Sequence, residues 1–406
     1  MAAAKPAALT VDQALARILE GVAPTAAETV PITRAHGRTL ASSLAARLTQ
    51  PPFDASAMDG YAVLARDVAT LPARLDIIGE AAAGHPFAGA LAGGQAVRIF
   101  TGAPIPAGAD AVVIQENTQR EGAALVVHDG QPDRDHVRKR GSDFAAGQEL
   151  LAAGRVLGPR ELSLAAAMGH GEVAVRCRPR VCILATGDEL VAPGEMPGHG
   201  QIIASNHLGV AALAERAGAN AELIGIARDT RESLEAHVAK AEGADVLVTI
   251  GGASVGDHDL VAPTLGARGM HLAFWTIAMR PGKPLMFGSL GASRVLGLPG
   301  NPVSALICAR LFLVPLVRAL LGRPPQRDDV KTLRTSAPLP ANGPRQHYMR
   351  AVLGAGPDGT PHVTPLPSQD SSLLSPLAAA DVLIVRPANA PPVPTGGDVQ
   401  VISLDL

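Results

Sequence analysis

What most constrains the fold of this chain is a change of rhythm near residue 179, where apolar runs start to alternate with helix-like stretches. Val181-Cys-Ile-Leu-Ala-Thr186 is continuously apolar up to its threonine, as expected of a strand buried on both faces. Asn206 to Ala217 reads as a helix, residues 221–227 as a second strand, Thr230 to Glu242 as another helix and residues 244–250 as a third strand. Asp229, with Glu232 three residues on, fits a helix-start signature in which Asp229 is the N-cap. Residues 294–300 and a helix from Pro302 complete the set. Such alternation predicts a doubly wound, mostly parallel α/β domain over residues 179–326.

The flanks follow other rules. Thr10-Val-Asp-Gln13 is a capping-box pattern opening a helix that stops near Gly21. Over residues 51–144 short apolar runs are broken by Gly and Pro, the mark of a β-rich module. A helix follows Pro159 and ends at Gly169. After residue 327 strand patterns return, at His347–Leu353, around a Pro357-Asp-Gly turn, and on to residues 398–404, predicting a small β-barrel or sandwich. The fold class is therefore multidomain α/β plus β.

Composition excludes several function classes. The formal net charge is -2 and only 7 Phe, 2 Tyr and 1 Trp occur among 406 residues. That argues against a polybasic membrane binder and leaves no aromatic platform for nucleic-acid bases. The 3 cysteines, Cys177, Cys182 and Cys308, have no metal-site spacing and fit a reducing compartment. The N-terminus lacks an apolar signal-peptide core. Ala305 to Leu321 is the most apolar stretch, but Arg310 and Arg318 make it a buried helix rather than a span. The expectation is a cytoplasmic protein with no membrane and no nucleic-acid partner.

Ligands of a doubly wound sheet bind beyond the carboxyl ends of its strands, and four loops there are rich in Gly and charge. Thr186-Gly-Asp-Glu-Leu190 suits Mg²⁺ held near a phosphate; its bland alternative is a turn with Asp188 capping the next helix. Gly251-Gly-Ala-Ser-Val-Gly-Asp-His-Asp259 combines an anion nest with acids that need a cation between. Its bland alternative is a flexible turn with solvated acids. Arg280-Pro-Gly-Lys283 brings two cations to one turn, or is simply an exposed basic turn. Gly297-Leu-Pro-Gly-Asn-Pro-Val-Ser304 offers Asn301 as N-cap and Pro302 as first helical residue, a helix start open to anions. Gly252-Ala-Ser-Val-Gly256 also matches a nucleophile elbow, but no local feature selects a His for a Ser254 hydrolase, and Asp257 and Asp259 are odd neighbours for an oxyanion hole.

Those loops, together with Pro51-Pro-Phe-Asp-Ala-Ser-Ala-Met-Asp-Gly-Tyr-Ala62, Thr101-Gly-Ala-Pro104, Arg140-Gly-Ser-Asp143, Arg350 and Ser372-Leu-Leu-Ser-Pro-Leu-Ala-Ala-Ala-Asp381, resemble the molybdopterin molybdenumtransferase family, the MoeA and gephyrin E-domain type. The matching text spans nearly the whole chain. The resemblance implies an elongated N-terminal domain in two pieces (1–50 and 145–178), an inserted β-rich domain (51–144), a molybdopterin-binding α/β domain (179–326) and a C-terminal β-domain (327–406). It also implies a homodimer with shared active sites.

The activity it implies is insertion of molybdenum from molybdate into adenylylated molybdopterin with release of AMP, supported by Mg²⁺. By motif, Asp59, Thr101 and Asp143 reach the site from the partner subunit. Glu189, Asp229 and Asp259 contact metal or cofactor, with Glu189 and Asp259 as metal ligands. Ser254, Arg280, Lys283, Arg350 and Ser371 form the molybdate and phosphate pocket, and Thr186, Gly187, Gly251, Gly252, Gly256, Pro299 and Asn301 contact the cofactor. Asp59, Glu189, Asp229, Asp259 and Lys283 are the expected catalytic set. His258 is more readily a solvated loop side chain than a proton shuttle. Arg280 stands where many relatives carry Lys, and Ala253 where a larger apolar residue is common. Alternatives are a paralogue that inserts tungsten or handles another nucleotide, and, lower, a scaffold protein. A pathway partner that delivers the pterin is left open.

Overall fold

The computed structural model describes residues 8–130, 133–252, 260–324, 330–356 and 359–404. The chain divides into two compact units, one of residues 29–174 and one of residues 1–28 with 175–406.

The helix α1 (Val11–Leu19) opens with the expected reciprocal cap between Thr10 and Gln13. The main sheet in the unit of residues 29–174 has six strands, β1 (Gly60–Val63), β2 (Ala73–Ala81), β3 (Gln95–Ile99), β4 (Ala111–Ile114), β5 (Thr118–Glu121) and β6 (Ala124–Val127). They pair in the order β4-β1-β3-β2-β6-β5. Alternate residues enter different cores: Tyr61 and Val63 pack with Leu75 and Val113, while Ala62 packs with Val97, Ile99 and Val112. The helix α2 (Pro159–Ala167) starts at the expected proline.

The α/β part alternates β7 (Arg180–Thr186), two short strands β8 (Leu190–Val191) and β9 (Ile202–Ile203), α3 (Asn206–Ala217), β10 (Asn220–Ala227), α4 (Arg231–Lys240), β11 (Val246–Ile250), α5 (Val261–Ala267), β12 (His271–Thr276), β13 (Met279–Arg280), β14 (Pro284–Leu290) and β15 (Ser293–Leu298). The main sheet has the order β10-β7-β11-β15-β14-β12. Its first four strands are parallel; β14 and β12 close the edge antiparallel. Helices cover both faces. Val181 and Ile183 face α3 and α1, whereas Cys182 and Leu184 face α4 and α5. This is the doubly wound arrangement that the buried run of β7 predicts.

The long helix from Pro302 to Leu320 contains a π-turn at Ala309–Leu313 between α6 (Pro302–Cys308) and α7 (Val314–Leu320). It is apolar enough to cross a membrane, but 78% of that stretch is buried inside the protein. Beyond it, β16 (Lys331–Thr335), β17 (Gln346–Ala355), β18 (Pro361–Pro365), β19 (Val382–Arg386) and β20 (Asp398–Ser403) form a third six-stranded sheet with β13. Pairing of β17 with both β18 and β19 closes it into a barrel, which decides between barrel and sandwich.

Two local expectations are corrected. The N-cap of α4 is Thr230, whose hydroxyl accepts from the Ser233 amide; Asp229 stands one residue too early for that bond. Asp188 caps no helix either, because β8 follows it.

Candidate functional site

The parallel register aligns the carboxyl ends of β7, β11 and β15: Ala185 lies opposite Ile250, and Ile250 opposite Leu298. Each strand therefore releases its loop at one level of the sheet. Gly251 sits at φ +95°, and a Cβ there would come within 2.5 Å of the Thr186 carbonyl oxygen. Only glycine lets these two strand ends approach so closely. The loops bound a cavity of about 770 Å³ lined by Thr186, Gly187, Glu189, Asp229, Gly251 and Gly252, with Pro299, Gly300, Asn301 and Pro302 beside them.

The acidic wall is held by backbone contacts. Asp188 Oδ1 accepts from the Asp229 amide at 3.2 Å, and Arg228 donates to the Asp188 carbonyl at 2.8 Å. Asp229 is exposed, yet partial desolvation at the cavity wall, followed by repulsion from Asp188 and Glu189, raises its pKa above the usual carboxylate value. No group of three His, Cys, Asp or Glu side chains arranged to hold a metal occurs among the described residues. Ser254, Gly256, Asp257, His258 and Asp259 lie outside those residues, and with them part of the expected metal and anion loop and the hydrolase elbow.

At the start of α6, Asn301 occupies the cap position without a side-chain cap bond. Its Nδ2 instead donates to Ser371 Oγ at 3.0 Å, and the Ser371 carbonyl accepts from the Val303 amide at 3.1 Å. Thus Ser371, read from sequence as a pocket hydroxyl, also docks the C-terminal β-domain onto this helix start. Its neighbours Ser372 and Leu374 line the cavity.

Arg350 is only 1% exposed. It donates to the carbonyls of Leu373, Ser368 and Asp370 at 3.0, 3.1 and 2.9 Å. Burial lowers its pKa, against the attraction of Asp370. Its guanidinium is thus engaged in shaping the loop that carries Ser371, and Arg350, expected in the molybdate and phosphate pocket, is not among the residues lining the cavity. Arg280 and Lys283 are exposed on the turn around Pro281, and neither lines the cavity, although Pro284 does.

In the unit of residues 29–174, Asp59 and Thr101 come together. Asp59 Oδ1 accepts from the Thr101 amide at 2.7 Å and from its hydroxyl at 2.8 Å. These bonds hold the Asp59 carboxyl below its ordinary pKa, the amide bond being the larger cause. The Arg98 guanidinium lies nearby over the rings of Tyr61 and Phe100. Asp143 is exposed, and its amide donates to the Gln50 carbonyl. Lys139, in the Arg138-Lys-Arg140 run, pairs with Asp54 at 2.8 Å.

Sequence reading missed Ser205, Asn206 and His207 of the cavity wall, together with Ile202, Ile203 and Ser372. The available signal was the start of α3 immediately after β9; its polar residues read as an ordinary helix entry.

Comparison with known proteins covers nearly all of the chain. Residues 9–169 match the MoeA N-terminal region (domain I and II), residues 182–319 a probable molybdopterin binding domain, and residues 332–404 the MoeA C-terminal region (domain IV). A molybdopterin molybdenumtransferase of Nostoc is 36% identical over 388 residues, covering 93% of this chain and 89% of the relative. One from Haemophilus influenzae is 34% identical over 401 residues, covering 97% and 98%. A crystal structure of a molybdopterin biosynthesis MoeA protein from Pyrococcus horikoshii has a TM-score of 0.83 at 30% identity and covers 98% of this chain and 99% of its own.

Proposed function

The chain belongs to the molybdopterin molybdenumtransferase family, and from that premise we propose that its crevice inserts molybdenum from molybdate into adenylylated molybdopterin, releasing AMP. The observation that carries this reading is the convergence of three Gly-lined strand ends, two cavity carboxylates and the start of α6 on one cavity. Its volume, about 770 Å³, falls in the range of ligand pockets. The family acts in molybdenum cofactor biosynthesis, and the α/β fold supplies the crevice that this role requires.

Mg²⁺ fits the residues present. It commonly takes one or two carboxylates and completes its shell with water and substrate phosphate oxygens. Glu189 and Asp229 supply such oxygens, and both line the same cavity. When bound, the ion offsets phosphoanhydride charge. Asp259 remains a proposed additional ligand. Residues of this chain then bind and orient. Gly251 and Gly252 let backbone approach the ligand, and the start of α6 faces an anionic group. Arg280 and Lys283 are the exposed cations proposed to attract molybdate. Arg350 holds the Ser371 loop in register with Asn301. Asp59, Thr101 and Asp143 are proposed to complete the site from the partner subunit of a cytoplasmic homodimer.

The test is turnover of purified protein with adenylylated molybdopterin plus molybdate, tungstate or neither. AMP release that depends on molybdate supports the reading. Faster release with tungstate assigns the chain to a tungsten-inserting branch. Release independent of either oxyanion overturns metal insertion.

A further inference from the structure

The segment that carries Asp59 is gripped by a residue outside every motif loop. Gly60, the next residue, lies in β1 between β3 and β4, and a Cβ there would overlap the Val113 carbonyl oxygen. The chain just beyond Asp59 therefore has little room to shift. The Asp59 carbonyl accepts from the Gln115 amide at 3.1 Å, and the Gly60 carbonyl from Arg98 Nη1 at 3.0 Å. Arg98 Nη2 donates in turn to Gln115 Oε1 at 2.7 Å. One guanidinium in β3 thus closes a ring of bonds around the Asp59–Gly60 peptide.

Arg98 is itself held flat. Its guanidinium carbon sits 5.1 Å from the Tyr61 ring centroid and 4.7 Å from that of Phe100, within the reach of cation–π attraction. Its N–H donors go to Gly60 and Gln115 rather than to a carboxylate. An arginine fixed by two rings, with its planar fork aimed at backbone and amide oxygens, is built for geometry. At the far end of the Asp59 side chain, Thr101 donates twice to Oδ1, at 2.7 and 2.8 Å. Both bonds fall on one oxygen, so Oδ2 is the one left to meet a substrate.

We infer that Arg98 is a positioning residue for Asp59: through the Gly60 carbonyl and Gln115 it fixes the direction in which Asp59 Oδ2 is presented to the substrate. The inference rests on the proposed place of Asp59 in the reaction.

A double-mutant cycle on the full chain tests it, with AMP release from adenylylated molybdopterin and molybdate resolved into kcat and KM, and slow variants read in single turnovers. Arg98→Met should lower kcat about tenfold and leave KM within about twofold. In an Asp59→Asn background the same change should alter kcat by less than about twofold, because the group it orients is gone. Arg98→Lys keeps the charge but not the planar fork, so it should lose nearly as much as Arg98→Met. Equal losses in both backgrounds overturn the inference and make Arg98 a general packing residue. Wild-type kcat in Arg98→Met overturns it too, and full rate in Arg98→Lys overturns it in favour of charge alone. Gln115→Met, at an exposed position, repeats the cycle even where Arg98→Met does not fold. A loss of about threefold is expected there, confined to chains that keep Asp59, and wild-type kcat overturns the inference. Wild-type kcat in Asp59→Asn removes Asp59 from the reaction and the inference with it. Molybdate-independent AMP release, with the cycle still non-additive, overturns metal insertion and leaves the coupling of Arg98 to Asp59 standing.

Discussion

Two aspartates expected from sequence to serve one reaction sit in opposite physical states. Asp59, in the unit of residues 29–174, is exposed but satisfied: the amide and hydroxyl of Thr101 both donate to it, and its pKa falls. Asp229, in the α/β part, lines a cavity beside Asp188 and Glu189, and its pKa rises. Hydrogen bonds to the ionised form stabilise charge; burial beside like charge does the reverse. Both side chains are exposed, so the difference lies in their neighbours: Asp59 has two donors on its carboxylate, and Asp229 has two carboxylates beside it.

The strongest way to break that contrast is to remove the cavity acids. Glu189→Ala or Asp229→Ala should lower the rate of AMP release by about 100-fold or more while the circular dichroism spectrum is unchanged. Wild-type rates in both variants would show that the cavity carboxylates are incidental.

Next in size is the scaffold behind the Ser371 loop. Arg350→Met deletes a guanidinium whose donors serve three carbonyls, so chemical denaturation should register a loss of about 3 kcal/mol. A loss under about 1 kcal/mol would mean that water replaces those bonds and that Arg350 is free to meet an anion.

The smallest effects sharpen the comparison through pH. Because the folded pKa of Asp229 is raised, its cost to stability is absent at pH values below the unfolded pKa and grows as pH rises through the folded one. Asp229→Asn should therefore raise Tm at pH 7 more than at pH 3, and Mg²⁺ should stabilise wild type more than this variant. For Asp59 the sign is opposite. Its folded pKa is lowered, so its stabilisation is present above the unfolded pKa and is lost as pH falls through the folded value. Thr101→Val removes the hydroxyl bond but keeps the amide bond, so the acid limb of a Tm-versus-pH curve should weaken without vanishing. Identical curves for the two aspartate perturbations would erase the distinction between them.

Much of the architecture was legible in the residues. The apolar run of β7, the glycines at strand ends, the Thr10–Gln13 cap and the Pro302 helix start each act locally, through burial on two faces, backbone reach or hydrogen bonds within one turn. Sequence reading therefore placed the doubly wound sheet and the Thr186, Gly251 and Pro299 turns that bound its cavity, while Arg280 and Lys283 do not line it. It missed a register difference of a single residue at the start of α4 and contacts whose partners are distant in sequence. Thr230 rather than Asp229 caps α4, because one residue of offset decides which side chain reaches the Ser233 amide. Asn301 bonds Ser371 across 70 residues of chain, and Arg350 points into its own domain's loop.

By itself the sequence determined which segments become strands and helices and which loops leave the sheet at a common edge, because those outcomes depend on neighbours a few residues apart. Tertiary structure alone decided the state of each side chain. The acidic neighbours and partial desolvation that raise Asp229, the carbonyls that engage Arg350 and the unpartnered Nδ1 of His207 all arise from segments brought together by packing. The energy of a charge or a hydrogen bond depends on what surrounds it in space, not on what precedes it in the chain.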